Sequence, residues 1–252
     1  MNIFFVVLYQ PLFNLLVWLY NVIPGNDIGL AIIALTLLIR LVLYPVTQQS
    51  LKSQKAMQTL QPKINALKEQ YKDDKDAQAK AMMALYKDEK VNPLSSCLPL
   101  VIQLVVLITL YRVLSAGITS AGLDGLYPFV HDPGHLNTSL LGFVDLGAPN
   151  IVLAIIAGIV QFFQARMMIT RLPGKSTVTK SEGAKDEAML ASVNKSMLYM
   201  MPLMTVLIGA RLPGGLALYW VVSNAFMVIQ QTIAFRTKKP KTTTPTIEPT
   251  KT

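Results

Sequence analysis

An arginine lies deep inside an apolar stretch of this chain. Arg40 follows a run that begins at Ile28 and holds Thr36 as its only other polar side chain. A permanent charge at the centre of a membrane-spanning helix costs roughly 2.5–3.5 kcal/mol on insertion scales. Arg40 is therefore the first candidate functional residue, and we expect it in a wet cavity or beside a partner. Thr36, one turn earlier on the same helical face, could share that cavity.

Other polar side chains in apolar stretches could line the same cavity with amides, hydroxyls and an indole. They are Gln103, Gln161, Gln164, Tyr219, Trp220, Ser223 and Asn224. For each one alone, hydrogen bonding between helices is the more common explanation, typically worth less than ~2 kcal/mol in membranes. Taken together with the arginine, the set favours a polar intramembrane cavity.

The chain carries no clear pattern for covalent or metal chemistry. His131 and His135 flank a Pro-Gly pair that breaks the helix needed to align them, so a polar turn is favoured over a metal site. No HExxH motif, nucleophile elbow or phosphate-binding glycine loop occurs. We therefore expect no enzyme activity, no cofactor and no metal. The apolar stretches also lack interior carboxylates, which argues against a proton-coupled pump and leaves Arg40 without an acidic partner in the membrane.

Composition places these residues in a polytopic, all-α membrane protein. The 252 residues are 52% hydrophobic and only 15% charged, with a mean hydropathy of +0.43, which is too apolar for a soluble domain. Cys97 is the single cysteine, so one chain cannot form a disulfide framework. The sequence predicts five transmembrane helices, at about 28–48, 94–114, 149–169, 196–210 and 214–235.

The distribution of Lys and Arg predicts the topology. The loop 51–93 is rich in lysine, and basic residues also flank the loop 170–196 and follow the last span, whereas 115–148 has none. The positive-inside rule then places two loops and the C-terminus in the cytoplasm and 115–148 outside. The net charge of +9 thus reflects topology and does not indicate a nucleic-acid partner.

Three segments flank or interrupt the spans. Residues 1–24 read as a helix at the outer interface, with Trp18 and Tyr20 at headgroup depth, or alternatively as a sixth span. Residues 51–90 read as a cytoplasmic helical hairpin whose first helix is broken at Pro62. This hairpin is either a solvated connector held near anionic lipid or a docking arm. The tail 237–252 is basic and predicted to be disordered.

The order and spacing of several motifs resemble the YidC/Oxa/Alb family of membrane protein insertases, over residues 25–236. The matching segments are the Arg40 span from Leu35 to Pro45, Leu60-Gln-Pro62, Tyr71-Lys-Asp73, Val91 to Gln103, Leu212 to Asn224, and Gln230-Gln231. Without the large periplasmic domain and extra N-terminal span of the Gram-negative form, the chain is similar to a compact bacterial member.

The resemblance implies a multi-pass protein of the bacterial cell membrane. It implies a five-helix core around a hydrophilic groove open to cytoplasm and lipid, with Arg40 in the groove and Thr36 and Trp220 contacting substrate. Partners would be nascent membrane proteins, the lipid bilayer, and the Sec translocon, signal recognition machinery or ribosome, with no specific nucleic acid. A non-catalytic assembly subunit and a small transporter or channel remain alternative functions.

Overall fold

The computed structural model describes residues 5–92, 98–118, 125–170 and 198–236, and these are mostly helical. The tail 237–252, Cys97 and most of the predicted loop 170–196 lie outside the described residues. A π-helical turn at Phe5–Tyr9 leads into the first α-helix. The helices are α1 Gln10–Val22, α2 Ile28–Val42, α3 Tyr44–Gln70, α4 Lys75–Asp88, α5 Leu98–Ile118, α6 Ile151–Thr170, α7 Leu198–Gly209 and α8 Gly214–Arg236.

Length and composition identify the helices that could cross a membrane. Phe5–Val22 and Gly214–Ala234 each qualify alone among the described residues, and α2 with the start of α3 qualifies as a bent pair. Shorter apolar helices at Val101–Ser115, Ile151–Met167 and Leu198–Gly209 fall on the other predicted spans. The architecture is that of an all-α membrane protein, as predicted. The number of crossings, and the placement of residues 1–24 at the interface, stay predictions.

The predicted span 28–48 is not one straight helix. It breaks at Leu43, and the axes of α2 and α3 differ by 62°. Pro45 explains the break, because its nitrogen has no hydrogen to donate to the carbonyl of Leu41. The Leu43 N–H instead closes the last turn of α2 on the carbonyl of Ile39, at 2.9 Å.

Helices α3 and α4 form an antiparallel pair, which we call the arm. The arm covers the segment 51–90 for which a helical hairpin is predicted, and α3 begins already at Tyr44. The prediction of a break at Pro62 is wrong, since α3 continues through this residue. Pro62 lies on the exposed face, where solvent can hydrogen bond the carbonyl left without a donor. Leu60 and Ile64 are buried in α3, whereas α4 has no buried residue.

Helix α8 lies at the centre of the helical core. It packs against α6, α2, α5 and the start of α3. Its first turn approaches α2 and α5 closely, because a Cβ at Gly215 would lie 3.1 Å from both Ile32 Cδ1 and Leu114 Cδ1. Helix α1 packs on α2 and contributes the fully buried Phe13 and Leu16. The core therefore fixes α2, α5, α6 and α8, the four helices that carry the predicted site residues.

Residues 125–150 fold over one end of this core, and we call them the cap. The cap contains a short antiparallel hairpin of β1 Ser139–Leu140 and β2 Val144–Asp145. Three residues, Leu141, Gly142 and Phe143, join the strands, and the first two have positive φ, of 51° and 75°. The N–H of Phe143 closes this tight turn on the carbonyl of Leu140 at 3.0 Å. The hairpin is the one sheet among the described residues of an otherwise helical protein.

Hydrogen bonds tie the cap to the ends of two helices. Asp27 caps α2 through the N–H of Leu30, at 2.9 Å, and its other oxygen accepts from the N–H of Leu141. The backbone N–H groups of Gly214 and Gly215 donate to cap carbonyls at 2.9 and 3.0 Å. These bonds place the cap at the N-terminal ends of α2 and α8, opposite the end from which the arm departs.

Two side chains of α1 also lie under the cap. Asn14 is 2% exposed and binds the backbone on both sides of residue 126: its amide donates to the carbonyl of Gly125 at 3.1 Å, and its oxygen accepts from Tyr127 N at 2.6 Å. The hydroxyl of Tyr20 accepts a hydrogen bond from Asn137 N at 3.0 Å. Tyr20 is only 4% exposed, so its ring is packed under the cap.

Candidate functional site

Arg40 lies in the last turn of α2, just before the break at Leu43, and its side chain is almost wholly inside the protein, at 7% exposure. Its Nη2 donates a 2.7 Å hydrogen bond to Oε1 of Gln103 on α5. The sequence predicted both residues for one site, and the structure brings them together. The partner is a neutral amide, as expected from the lack of carboxylates in the predicted spans.

Helix α8 supplies the third side of this cluster. Tyr219 is 1% exposed, and its phenol interacts electrostatically with Arg40 and lies close to Gln103 and Ser223. The hydroxyl of Ser223 is fully buried and lies within hydrogen-bonding reach of the Tyr219 phenol.

The charge of Arg40 is only partly satisfied by these neighbours. A guanidinium has five N–H donors and no acceptor, and one of them is used on Gln103. Arg40 pairs with no carboxylate among the described residues, in contrast to Lys63 of the arm, which forms an ion pair with Glu89. A buried cation without an anionic partner is costly unless water or a polar ligand solvates it. The cluster is therefore chemically suited to attract anionic or strongly polar groups.

Thr36 and Trp220 are buried and make contacts inside the protein. The Thr36 hydroxyl is 1% exposed and donates to the carbonyl of Ile32 in its own helix at 2.6 Å. Trp220 is 8% exposed, and its ring lies against the end of α7, since a Cβ at Gly209 would be 3.4 Å from its Cζ3. The same Cβ would be 3.2 Å from Ala154 of α6. In this structure both side chains pack within the helical core.

The remaining predicted site residues are separate from the arginine. Gln161 and Gln164 are half-buried on α6, and neither hydrogen bonds to Arg40 in the described structure. Asn224 on α8 is half-buried, and its amide nitrogen is enclosed without a hydrogen-bond partner among the described residues. The structure thus gathers Arg40, Gln103, Tyr219 and Ser223 into one cluster and leaves the other residues around it.

Sequence reasoning did not assign a second buried polar cluster, where α3 leaves the core. Gln230 of α8 is 2% exposed, and its Nε2 donates to Thr47 Oγ1 at 2.9 Å and to the carbonyl of Tyr44 at 3.3 Å. Thr47 is itself 2% exposed. The signal that could have found this pair is the position of both polar residues in predicted spans, near the ends that the charge pattern places at the cytoplasm.

Other possible sites lie away from the arginine cluster. Two open clefts of about 220 and 330 Å³ border the cap, one between α1 and residues 127–129, the other between residues 24–30 and the hairpin. In the described residues no group of three or more His, Cys, Asp or Glu side chains could hold a metal. Both histidines of the predicted polar turn are exposed. Hydrogen bonds from Gly147 N and the Thr138 hydroxyl lower the pKa of Asp145 from its ordinary value.

Comparison with known proteins places this arrangement in a family. A family model described as 60Kd inner membrane protein matches residues 18–242. The chain is 35% identical over 206 residues to the membrane protein insertase YidC of Fusobacterium nucleatum, covering 82% of this chain and 85% of that protein. It is 36% identical over 222 residues to proteins of the same name from Citrifermentans bemidjiense and a Geobacter species, covering 88% of this chain. It spans only 35% of the length of the latter two relatives.

Proposed function

This chain belongs to the 60 kDa inner membrane protein family, the family of the YidC membrane protein insertases, and we propose that it inserts other membrane proteins into the bacterial cell membrane. The family is not one of enzymes, and the proposal requires no covalent chemistry, nucleotide or cofactor. The single observation that carries it is the buried cluster of Arg40, Gln103, Tyr219 and Ser223, between helices apolar enough for a bilayer.

We propose that this cluster is the floor of a polar groove for the flank of an incoming segment. A translocating flank brings polar backbone and side chains into hydrocarbon, where each unsatisfied group costs several kcal/mol. Among the described residues Arg40 has donors left over after its bond to Gln103, and the buried hydroxyls of Tyr219 and Ser223 lie in the same cluster. Water held at these atoms would lower the cost of moving the flank part of the way across.

The apolar part of the substrate follows a different path. Helix α6 exposes a face of large apolar side chains, Ile155 and Ile159 among them, and α7 exposes Met200 and Met204. Flexible thioethers suit surfaces that must accept many sequences. The substrate segment would slide over such a surface and partition into lipid, where burial of about 20 apolar residues at about 25 cal/mol per Å² drives release.

The orientation of the chain forms part of the proposal. The arm and the C-terminus lie in the cytoplasm and the cap outside, as the distribution of lysine and arginine indicates. The arm carries exposed lysines and is the surface from which substrates, the Sec translocon, signal recognition machinery or a ribosome would be met. The cap, held by hydrogen bonds to α1, α2 and α8, would close the groove toward the outside.

The decisive experiment is insertion by the purified protein in liposomes. The measurement is protease protection of a one-span or two-span substrate, without ATP, relative to empty liposomes. We expect protection above the empty liposomes. Correctly folded and oriented protein that gives none would contradict the insertase and favour a partner-dependent assembly subunit. Ion flux through the sealed vesicles would instead indicate a channel or transporter.

Charge variants at Arg40 test the electrostatic part. Arg40→Ala should reduce insertion most for substrates with an acidic outer flank, and Arg40→Lys should retain much of it, since the positive charge remains. Gln103→Leu is the matched control, because it removes the neutral partner but leaves the charge. Equal loss in Arg40→Ala and Arg40→Lys, whatever the charge of the flank, would refute the attraction of acidic groups.

A further inference from the structure

The base of the arm is held by a polar contact that the insertase proposal does not use. Gln230 and Thr47 are 183 positions apart in the chain and both are 2% exposed. They join the second half of α8 to the first turn of α3. Gln230 is eleven residues beyond Tyr219, which on an α-helix is about 16 Å further along the axis. The contact therefore lies at the end of α8 nearest the arm, well separated from the arginine cluster.

The hydrogen bonds at this point satisfy both residues. The Thr47 hydroxyl lies 3.0 Å from the carbonyl of Leu43, the residue at which the chain bends, and can donate to it. It can then accept from Gln230 Nε2 at 2.9 Å. The second amide proton of Gln230 has acceptors at 3.3 Å in the carbonyl of Tyr44 and in Oε1 of Gln48. The side chain of Gln230 thus lies within hydrogen-bonding distance of three polar groups near the bend, in Tyr44, Thr47 and Gln48.

Helix α3 buries few of its described side chains beyond the bend. Ser50 and Leu51 are 2% and 5% exposed, and the next buried residue among those described is Leu60, within the arm. From Thr47 to the end of α3 at Gln70 the helix is about 35 Å long. A rotation of about 10° at its base would move the tip by about 6 Å on this length. The angle at the bend therefore decides where the arm stands.

We propose that Gln230 is a positioning residue that sets the angle at which the arm leaves the core, through its bonds to Thr47 and to the carbonyl of Tyr44. The arm begins four residues after Arg40. The angle therefore determines where the arm lies relative to the arginine cluster. The functional consequence rests on the insertase proposal, but the angle itself is a property of the folded chain and is measured without any substrate.

The neighbouring residue provides a matched control. Gln231 is the same residue type, is 1% exposed, and its side-chain oxygen has no hydrogen-bond partner among the described residues. Replacing Gln231 by Leu removes an equally buried amide without removing a bond to α3. Replacing Gln230 by Leu removes the same chemical group together with that bond. A difference between the two variants isolates the bond from general effects of burying an apolar side chain.

The experiment is a distance measurement by pulsed EPR in lipid nanodiscs, on the full chain with Cys97→Ser. Spin labels are placed through Lys80→Cys on α4 and His135→Cys in the cap, both exposed positions. We expect one narrow distance distribution for the parent and for Gln231→Leu. Gln230→Leu should populate additional distances, with the ratio of displaced to original arm raised roughly threefold to tenfold, the effect of losing one hydrogen bond.

Thr47 tests the same bond from the other side, and keeps the proposal testable if Gln230→Leu does not fold. Thr47→Val removes the hydroxyl at nearly constant shape and should broaden the distribution as Gln230→Leu does. Thr47→Ser keeps the hydroxyl and should restore the narrow distribution. Distances in Thr47→Val that match those of the parent would overturn the proposal, as would equal distributions in Gln230→Leu and Gln231→Leu. Neither result depends on whether the chain inserts substrates.

Discussion

The cap and the arm are held in opposite ways. The cap has little regular secondary structure, yet its backbone is bonded to α1, α2 and α8, through Asn14, Asp27 and the first turn of α8. The arm is almost entirely helical, yet α4 has no buried residue. Regular secondary structure and resistance to local opening are therefore separate properties in this protein. Local opening is easiest where few side chains are buried, so we expect the arm to be more mobile than the cap.

This difference matches what the proposed function needs from each end. An insertase that receives substrate segments from the cytoplasm needs a mobile structure on the cytoplasmic side. On the outer side it needs a closed structure that prevents the passage of ions. The cap buries Val130, Leu136 and Leu146 against the core. In the arm, Leu60 and Ile64 are buried but do not belong to that core cluster, and the bonds to Gln230 lie at the base of the arm. Variants that destabilise the cap test whether its contacts are tight. Variants in the arm test whether its contacts contribute little to the free energy of unfolding.

The largest effect is expected where the cap hairpin meets α2. A Cβ at Gly29 would lie 2.3 Å from Leu140 Cδ1 and 2.8 Å from its Cβ, so Gly29→Ala forces the hairpin outward. Overpacking of this kind costs about 1–3 kcal/mol. We expect a lower thermal unfolding midpoint in detergent and faster labelling of a cysteine placed at Leu141. Gly125→Ala is the control, because nothing lies within 4 Å of its added Cβ. Equal midpoints for the two variants would show that the contact is not tight.

A comparable or slightly smaller effect is expected at Asn14. Its replacement by Leu leaves the Tyr127 N–H without its partner under the cap and removes one of the two side-chain donors to the Gly125 carbonyl, the other being Gln10 Nε2 at 3.3 Å. Leaving buried backbone groups unpaired costs about 1–3 kcal/mol. Hydrogen exchange at Tyr127 should accelerate accordingly. Asn21→Leu is the control, since its one bond, to the carbonyl of His131, is exposed, and we expect it to change stability by less than about 0.5 kcal/mol. Unchanged exchange in Asn14→Leu would mean that the cap is held by packing alone.

The sequence predicted the helices far better than their contacts. Apolar runs of membrane length are a strong local signal, and α6 and α8 fall on the predicted spans within a few residues. The two errors of helix continuity both concern proline. Pro45 lies inside the predicted span 28–48 and Pro62 inside the predicted hairpin, yet the chain bends near the first and continues as a helix through the second. Both prolines are exposed, so burial does not explain the difference. Pro45 stands in the first turn of α3, where a helix needs no N–H donor, whereas Pro62 stands in the interior of α3.

The residues of the arginine cluster could be predicted from the sequence, but the hydrogen bonds between them could not. A buried arginine must find polar neighbours, so Gln103 and Tyr219 could be proposed from residue type alone. Which side chain faces Arg40 depends on how α2, α5 and α8 are rotated about their axes. Asn14 and Gln230 escaped assignment for the same reason, because their partners lie more than 100 positions away. Long-range contacts of this kind leave no periodic signal in a single sequence.

The smallest effect is expected in the arm itself. Lys63 of α3 forms an ion pair with Glu89, just after α4, with side chains 62% and 36% exposed. Solvent-exposed pairs of this kind are typically worth 0–1 kcal/mol and weaken with added salt. Glu89→Gln should therefore change hydrogen exchange in α4 by less than about fivefold at low salt, a factor that corresponds to about 1 kcal/mol, and still less at high salt. A change above tenfold that survives high salt would show that the arm is held as firmly as the cap, and the contrast between the two ends would fail.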